Sequence, residues 1–371
     1  MRGTLVSISL SLLCGAQGPA DGRRPRSIVG AIRWDAWHGD AGLDSAGPER
    51  FEAGKRPRLT PGLAVERSLG PKHWHYRLPF YAKVVGENRV EVRANSQEVM
   101  DREIAYASTA GLDYWAFLTY APDSPMTIGL DLYLSSAHKA KMKFCVILHH
   151  IRTKPAAMRE ETARIVGYMR DPQYVTVLDG RPLVYAFQCR AGRAFYDGLL
   201  KAAADAGLKR PYLVNMGSCA VTTGFDAVSS YAGRGGRRAW DKSKAAGRKV
   251  VPSVSAGWDR RPRVENPVPW EGGGRGRPVT GGRRRTAKQA AAQIAAGVKS
   301  AINWNAANPE AGEADAVIIY AWNEFDEGGW ICPTLSEGAS RLDAIRTVLV
   351  PPPATTQPAA SGDESKRKGT E

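Results

Sequence analysis

The sequence predicts an α/β fold, a single-domain (β/α)8 TIM barrel, from three observations. Eight short apolar runs, rich in β-branched and aromatic residues, recur along the chain with helix-like stretches between them. This alternation is typical of βα units around a parallel sheet. The length of 371 residues, less a leader and a tail, fits one such barrel. Neither a Gly-rich phosphate fingerprint after the first run nor a P-loop is present in the sequence, which disfavours the alternative of a doubly wound sheet.

The eight predicted strands are the apolar runs themselves, each followed by polar or aromatic residues. They cover residues 27–37, 112–120, 143–150, 182–188, 211–217, 225–231, 250–258 and 316–324. Five of the stretches between and after them have helical composition: 96–109, 156–168, 191–206, 286–307 and 340–348. The longest of these, 286–307, is rich in alanine with apolar residues at helical spacing, which suits a helix packed on the outside of a barrel.

Two connections are longer than a barrel requires. Residues 39–95 are rich in proline, glycine and charge, and we expect them to wrap the mouth of the barrel. Residues 232–249 are basic and follow the sixth predicted strand.

The two ends of the chain lie outside the predicted barrel, which covers residues 27–350. Residues 1–20 predict a signal peptide, because Arg2 is followed by an apolar run over 5–13 and then by small residues. That run is too short to span a membrane as a helix, so we expect a secreted or periplasmic protein without stable membrane insertion. Residues 351–371 are poor in hydrophobic side chains and predict a disordered C-terminal tail.

The net charge of +15 is concentrated in one region. Residues 232–286 contain 15 Lys or Arg and 4 Asp or Glu, a local net charge of 15 − 4 = +11. Such a surface favours an anionic partner, and in an exported protein an acidic or sulfated glycan is favoured over a nucleic acid, so no nucleic acid is expected. The alternative is an arginine-rich solvated insertion with no partner.

Four cysteines follow the predicted leader: Cys145, Cys189, Cys219 and Cys332. They lack the close spacing of metal ligands, and three lie in or at the end of apolar runs. They therefore predict buried free thiols and not a disulfide framework.

The residues that follow the predicted strands form the candidate site, because barrel active sites are built at the carboxyl ends of strands and in the loops after them. They are Trp34, Asp35, Trp37, His38, Tyr120, His149, His150, Gln188, Asn215, Tyr231, Trp258, Asp259, Arg260, Asn323, Glu324 and Glu327. Aromatic rings stack on the apolar faces of sugars and polar side chains hydrogen-bond to hydroxyls, so the set predicts a carbohydrate site. Most of these residues also have a structural interpretation, as core, capping or surface side chains.

An alternative is a metal site formed by Asp35, His38, His149 and His150, whose types can bind zinc. No HExxH-like spacing accompanies them. The sequence therefore predicts no metal at these residues.

Three acidic residues stand together in YAWNEFDEGGW (320–330), directly after the eighth apolar run. Like charges at the end of a buried strand repel each other and are costly to desolvate. The presence of Glu324 and Glu327 there therefore indicates a functional role. Two carboxylates three residues apart across a turn can point to one place and titrate as a coupled pair, one acting as acid and the other as base. Cleavage of a glycosidic bond requires this division of roles. Asp326 is expected to point away, toward solvent or a neighbouring arginine; the alternative for the pair is two solvated loop carboxylates.

The motif WNEFDEG (322–328), followed by Pro333, resembles the WNEWxEG signature of glycoside hydrolase family 99-like proteins, which include endo-α-mannosidases and WbsX-like domains. Weaker similarity extends over GAIRWDAWHGD (30–40), LPFYAKV (78–84), GLDYWAFLTY (111–120), DGRPLVYAF (179–187) and SAGWDRRPR (255–263). The resemblance thus covers about residues 27–350. Phe325, Asp326 and Cys332 differ from the residues usual at these positions, which are Trp, Gly or His, and Glu.

The resemblance implies a retaining glycoside hydrolase with a (β/α)8 fold and no cofactor. In it, Glu327 would be the general acid and base at the glycosidic oxygen. Glu324 would assist the substrate's own 2-hydroxyl, which replaces an enzyme nucleophile. The expected partner is a glycan, α-mannoside-like or anionic. The alternative is a non-catalytic barrel that binds glycans or assists polysaccharide assembly, although such a protein has no need of both carboxylates.

Overall fold

The computed structural model describes residues 26–39, 60–232, 235–271 and 286–350. The predicted signal peptide 1–20 and the predicted tail 351–371 lie outside the described residues. In chain order the strands are β1 Ile28–Arg33, β2 Ala82–Gly86, β3 Arg89–Val92, β4 Tyr114–Leu118, β5 Lys143–Leu148, β6 Thr176–Val177, β7 Arg181–Ala186, β8 Tyr212–Asn215, β9 Ala227–Val228, β10 Lys249–Val250, β11 Ser253–Ser255, β12 Ala316–Tyr320, β13 Asn323–Glu324 and β14 Gly329–Trp330. The α-helices are α1 Pro61–Leu69, α2 Gln97–Thr109, α3 Ile128–Ser135, α4 Pro155–Met169, α5 Arg193–Asp205, α6 Arg237–Ala245, α7 Arg261–Glu265, α8 Ala287–Ala307 and α9 Ser340–Leu349.

The main sheet is a closed parallel barrel. Its strands follow the order β9, β8, β7, β5, β4, β1, β12, with every neighbouring pair parallel. The segment 249–255 closes the ring, because β10 pairs with β9 and β11 pairs with β12. Pro252, which has no N–H to donate, lies between the two halves. With β10 and β11 counted as one interrupted strand, the described residues form eight barrel strands, which confirms the predicted fold.

Each of the eight predicted strands overlaps one barrel strand. The apolar β-branched run of β12 is buried at all five positions, as expected for a strand covered by the barrel interior on one side and helices on the other. Inside the barrel, the hydroxyl of Tyr114 lies 2.8 Å from that of Tyr185 and donates to the carbonyl of Val317 at 3.0 Å. The polar atoms at the ends of these two buried rings are therefore paired with each other.

The five predicted helices correspond to α2, α4, α5, α8 and α9. The start of α8 is fixed by a capping box, in which Thr286 Oγ1 accepts from Gln289 N at 3.2 Å and Gln289 Oε1 accepts from Thr286 N at 3.0 Å. Four shorter helices were not predicted, α1, α3, α6 and α7, because each has fewer than ten residues, below the length at which apolar spacing distinguishes a helix.

The described part of the connection 39–95 lies against the carboxyl end of the barrel, as predicted. It contains α1, a 3-10 helix at Lys72–Arg77 and the antiparallel hairpin β2–β3. Ser68 of α1 donates to Asp326 at 3.3 Å, and Arg77 donates to the carbonyl of Asp259 at 2.9 Å. The connection thus supports both loops that form the candidate site.

Cys145, Cys189 and Cys332 are buried and Cys219 is partly buried, and all four are free thiols, as predicted. Within the described ranges, no helix has the length and apolar character needed to cross a bilayer.

Candidate active site

The acidic motif forms a small hairpin beyond the end of β12. Asn323 pairs with Trp330 and Glu324 with Gly329, which joins β13 to β14 across a short turn. Glu324, Asp326 and Glu327 are only 3%, 0% and 8% exposed. The interpretation of the two glutamates as solvated loop residues is therefore wrong. Three buried carboxylates in four positions require partners, since an unpaired buried charge is very costly.

The main partner is Arg263, a buried residue of α7. Its Nε and Nη2 donate to the two oxygens of Asp326 at 2.7 and 2.9 Å, a bidentate pair. Its Nη1 donates to Glu327 Oε1 and to Glu271 Oε1, the latter at 3.0 Å. Its Nη2 also reaches Glu324 Oε2 at 3.4 Å. One guanidinium therefore contacts all three acidic side chains of the motif. Asp326 points toward an arginine, as one of its two predicted orientations required, and not toward solvent.

Each glutamate has a separate tyrosine donor. Tyr231, at the end of the β9 region, donates to Glu324 Oε1 at 2.9 Å. Tyr320, the last residue of β12, donates to Glu327 Oε2. The two rings meet edge to face with their centroids 5.2 Å apart. The two carboxyl groups are thus oriented by separate phenols, one after the sixth barrel strand and one at the end of the eighth.

Burial and mutual repulsion alter the acidity of both groups. The pKa of Glu324 lies well above its usual range because of burial and the charge of Glu327, with Arg263 opposing. The pKa of Glu327 is also raised by burial, against Arg263 and the hydrogen bond from Tyr320. The pair therefore tends to retain a proton, as an acid–base pair requires.

A close approach of two loops fixes the position of Glu327. The N–H of Asp259, in the loop after β11, donates to the carbonyl of Glu327 at 2.6 Å. Gly328 has φ +81°, and a Cβ there would lie 2.7 Å from Asp259 N; a Cβ on Gly257 would collide with the carbonyl of Gly328. The glycine that ends WNEFDEG is therefore required both by its backbone conformation and by the neighbouring loop.

Aromatic side chains surround the carboxylates. Trp34 donates to the hydroxyl of Tyr120 at 2.8 Å, and its ring lies edge-on to Trp270, 5.6 Å away. Phe187 stacks on Tyr231 at 3.9 Å, and Trp258 lies 5.8 Å from Tyr320 and is 47% exposed. Several of these rings come from the predicted site set, and such surfaces suit the apolar faces of sugars.

Other predicted site residues support the hairpin. The indole of Trp37 donates to the carbonyl of Asn323 at 2.6 Å, and Asn323 Oδ1 accepts from Trp34 N at 2.9 Å. Asp35 accepts from Arg33 at 2.8 Å, and burial raises the pKa of Asp35 to about 6 against the opposing charge of Arg33. These residues hold the first and eighth strand ends together.

The remaining predicted residues make mainly structural contacts. His149 lies 2.9 Å from the carbonyl of Phe187, and burial lowers the pKa of His149 to about 4. His150 is exposed beside Tyr120. His38 is buried, with its backbone bridged to Arg93, while Gln188 is exposed and Asn215 accepts from the N–H of Gly217 at 2.7 Å. Asp259 pairs with Arg77 and Arg261. Arg260 is the exception, because it pairs with Glu271 and its Nε also lies 3.8 Å from Glu327 Oε1.

Sequence reasoning missed five residues of the site: Arg263, Glu271, Tyr320, Phe187 and Trp270. Three of them lie within motifs named above: Tyr320 in YAWNEFDEGGW, Arg263 in SAGWDRRPR and Phe187 in DGRPLVYAF. The signal that could have identified Arg263 is the demand of three adjacent carboxylates for a cation.

Among the described residues, no group of three or more His, Cys, Asp or Glu side chains is arranged to hold a metal ion.

Comparison with known proteins gives a structural relationship only. No protein-family model matches the chain, and no curated protein matches it. A solved structure of the GH99 endo-alpha-mannosidase from Bacteroides thetaiotaomicron in complex with BIS-TRIS-propane is similar, with TM-score 0.51, 16% identity, 85% of this chain covered and 94% of that one. A second structure of the GH99 endo-alpha-mannosidase from that organism gives TM-score 0.52, 17% identity and coverages of 86% and 95%. The chain has a GH99-like fold.

The predicted resemblance is thereby confirmed for the GH99-like fold, and the three departures from the motif acquire physical explanations. Phe325 packs edge-on against Trp37 at 5.1 Å. Asp326 binds Arg263. Cys332 is buried with its Sγ 3.6 Å from Glu103 Oε1, so a carboxylate from α2 lies next to the position where glutamate is usual.

Proposed function

We propose that the protein is a retaining glycoside hydrolase that acts on a polysaccharide or oligosaccharide. The observation that carries this proposal is the pair of buried carboxyl groups, Glu324 and Glu327, held by separate tyrosines in one hairpin at the carboxyl end of a GH99-like barrel. Barrel enzymes place their chemistry at this end. The predicted boundaries of the barrel domain, 27–350, and export of the protein are part of the same proposal.

In the proposed reaction the two glutamates share one proton. Glu327 donates it to the glycosidic oxygen as the bond to the leaving group breaks, while ionised Glu324 accepts the proton of the substrate's 2-hydroxyl as that oxygen attacks the anomeric carbon. Water then attacks the anomeric carbon from the face that the leaving group occupied. Glu327 takes a proton from this water, and Glu324 returns its proton to the 2-oxygen. Two inversions at the anomeric carbon give retention.

The charges around the pair favour a neutral sugar at the cleavage point. Among the described residues, Arg260 and Arg263 form the ion pairs with Glu327, and both also have other carboxylate partners, Glu271 for Arg260 and the motif acids and Glu271 for Arg263. Within the part of the site that the structure describes, an anionic sugar would add a further negative charge beside cations that already have carboxylate partners. The described part of the site therefore favours an α-mannoside-like substrate over a sulfated or uronic sugar.

The first test is hydrolysis of a glycan panel by wild type and by Glu324→Gln and Glu327→Gln, with released reducing ends quantified. Neutral α-mannans are compared with sulfated and uronic glycans. We expect wild type to release sugar, and each variant to lose about 10²- to 10⁴-fold in rate, the usual contribution of a general acid or base. Glycan binding and the melting temperature should change little. Glu310→Gln, an exposed glutamate before β12, is the matched control and should retain wild-type activity.

The roles of the two glutamates can be separated with a dinitrophenyl glycoside, whose leaving group needs no proton. Glu327→Gln should recover much of its activity on this substrate, whereas Glu324→Gln should not. Normal turnover of natural glycans by Glu327→Gln would contradict the acid assignment. Binding of glycans by wild type without any release would favour the non-catalytic alternative.

A further inference from the structure

Arg263 is fixed in place more firmly than a charged side chain in an open site would be. Asp326 receives two parallel hydrogen bonds from it, which set the plane of the guanidinium. The rings of Trp34 and Trp270 lie 5.0 and 5.6 Å from its central carbon. Glu271 accepts a further bond from Nη1. The cation is therefore held at a set position before any substrate arrives.

Arg263 lies closer to Glu327 than to Glu324. Nη1 of Arg263 contacts Glu327 directly, whereas Nη2 reaches Glu324 only at 3.4 Å while also serving Asp326. A nearby cation favours the ionised form of a carboxyl group, and its effect falls with distance. Arg263 therefore favours ionisation of Glu327 over ionisation of Glu324.

We propose that Arg263, fixed by Asp326, is a positioning residue that sets the pH range in which the Glu324–Glu327 pair carries a single proton. The inference rests on the proposed function, because it concerns the acid–base pair of that reaction. Without the cation, two adjacent buried carboxyl groups would both remain protonated to a higher pH, and the pair would lack a base. With it, one group can ionise while the other keeps its proton.

The same arrangement gives the substrate a part in placing the proton. In the free site, Arg263 and Tyr320 both favour ionised Glu327, whereas the proposed reaction starts with Glu327 protonated. A sugar 2-hydroxyl that donates to Glu324 stabilises the ionised form of that group. The single proton then resides on Glu327, next to the glycosidic oxygen. A bound sugar with its 2-hydroxyl in place thus selects the reactive form of the pair.

Several other charged or titratable groups face the pair and also affect the pH at which it titrates. From the hairpin and strand ends they are Asp326, Tyr231, Tyr320 and Tyr120, and from the connection after β11 they are Arg260, Arg263 and Glu271. Removing a positive member should move the titration of the pair to higher pH, and removing a negative member should move it to lower pH. These opposite signs make the inference testable.

The experiment is the pH profile of kcat/KM for wild type, Arg263→Met, Asp326→Asn and Arg263→Lys. Loss of the cation in Arg263→Met should shift both limbs to higher pH by about one unit or more, the usual effect of a close charge. Loss of the negative charge in Asp326→Asn should shift both limbs to lower pH. Arg263→Lys retains the positive charge but cannot make the bidentate pair with Asp326. We expect its pH profile to have the wild-type midpoints and its kcat to be reduced. A purely structural role predicts lower rates and melting temperatures with unshifted midpoints, and that result would overturn the proposal.

A second measurement keeps the test independent of hydrolysis and of the folding of one variant. The carboxyl carbons of ¹³C-labelled glutamate are followed by NMR through a pH titration, with assignments from Glu324→Gln and Glu327→Gln. If Arg263→Met does not fold, Asp326→Asn and the charge-balanced double variant Arg263→Met, Asp326→Asn carry the comparison. Midpoints that move as stated in a protein without hydrolysis support the role of Arg263 and contradict the proposed function. Hydrolysis with unmoved midpoints contradicts the role of Arg263 alone.

Discussion

Tyr231 links the aromatic surface of the site to its acid pair. One face of its ring stacks on Phe187, with centroids 3.9 Å apart and planes inclined by 7°, while its hydroxyl donates to Glu324 at 2.9 Å. The ring and the hydroxyl therefore have separable roles, one in packing and one in orienting a carboxyl group. A substitution that removes only the oxygen tests the second role.

We expect Tyr231→Phe to lower kcat by about 10- to 100-fold, because a hydrogen bond to a charged group contributes roughly 1.5 to 3 kcal/mol. The ring stacking should survive, so the melting temperature should change little. Tyr212→Phe is the control, since it removes a hydroxyl that donates to Glu313 at 3.1 Å, below the opposite end of the barrel. Equal losses of activity in the two variants would show that the effect is not specific to Glu324.

At this scale the sequence predicts the two neighbouring glutamates but not the residues that contact them. Arg260, Arg261 and Arg263 stand within four positions, and nothing local distinguishes them. In the fold they take different partners, Glu271, Asp259 and Asp326. The choice depends on where α7 crosses the hairpin, which is a tertiary property. The sequence does not identify Tyr320 as a site residue either, because an aromatic residue at the end of an apolar strand resembles a core residue.

The hairpin β13–β14 is the element on which the site depends. Its turn ends at Gly328, whose positive φ and contact with Asp259 leave no room for a side chain. The loops after the seventh and eighth barrel strands therefore meet at backbone distance. Any group that separates them would displace Glu327 from Tyr320 and Arg263.

We expect Gly328→Ala to abolish activity while leaving the circular dichroism spectrum that of a folded barrel. The left-handed backbone alone costs about 1 to 3 kcal/mol in a residue with a Cβ, and the collision adds to this. Gly207→Ala is the matched control, because Gly207 has φ +73° with nothing within 4 Å of the added carbon. That variant should lose a similar part of its stability from strain but retain its activity. Normal activity in Gly328→Ala would show that the contact between the loops is dispensable.

Elements were predictable where hydrophobic patterning is strong and long. The eight strands follow from β-branched runs, and five helices from extended apolar spacing or caps. The eighth predicted strand, 316–324, extended too far, since the barrel strand ends at Tyr320 and Glu324 belongs to the hairpin. Nothing in the run AVIIYAWNE marks this break, because the return of the chain is specified by the two glycines at 328 and 329. The helix α6 was missed because, apart from alanines, Trp240 is its one apolar residue.

The whole molecule combines buried groups whose titrations act in opposite directions on its stability. Asp35 has a folded-state pKa of about 6, above its usual 3.8, so its contribution to stability is complete below pH 4 and is lost as the pH rises through 6. His149 has a folded-state pKa of about 4, below its usual 6.5, so its contribution is complete above pH 6.5 and is lost as the pH falls through 4. Between these limits the two effects oppose each other.

We expect each single variant to change the slope of stability with pH. Relative to wild type, Asp35→Asn should gain about 3 kcal/mol in the free energy of unfolding as the pH rises from 4 to 6, and His149→Phe should gain a similar amount as the pH falls from 6.5 to 4. Urea unfolding at half-unit pH intervals measures both. Curves parallel to that of wild type would contradict the assigned titrations. Arg33 keeps Glu103 as a partner in Asp35→Asn, so no isolated buried cation results.

At the largest scale, the first and eighth strands pair directly, so Ile28 lies beside Ala316. A ribosome that adds about 5 to 20 residues per second needs roughly 15 to 60 s to make the intervening chain. During that time β1 lacks the strand that covers one of its edges in the folded barrel, and an unpaired strand edge is a surface prone to aggregation. The glutamates at 324 and 327 emerge only just after the strand that covers this edge. The two glutamates therefore cannot reach their positions before the strand that closes the barrel has been synthesised.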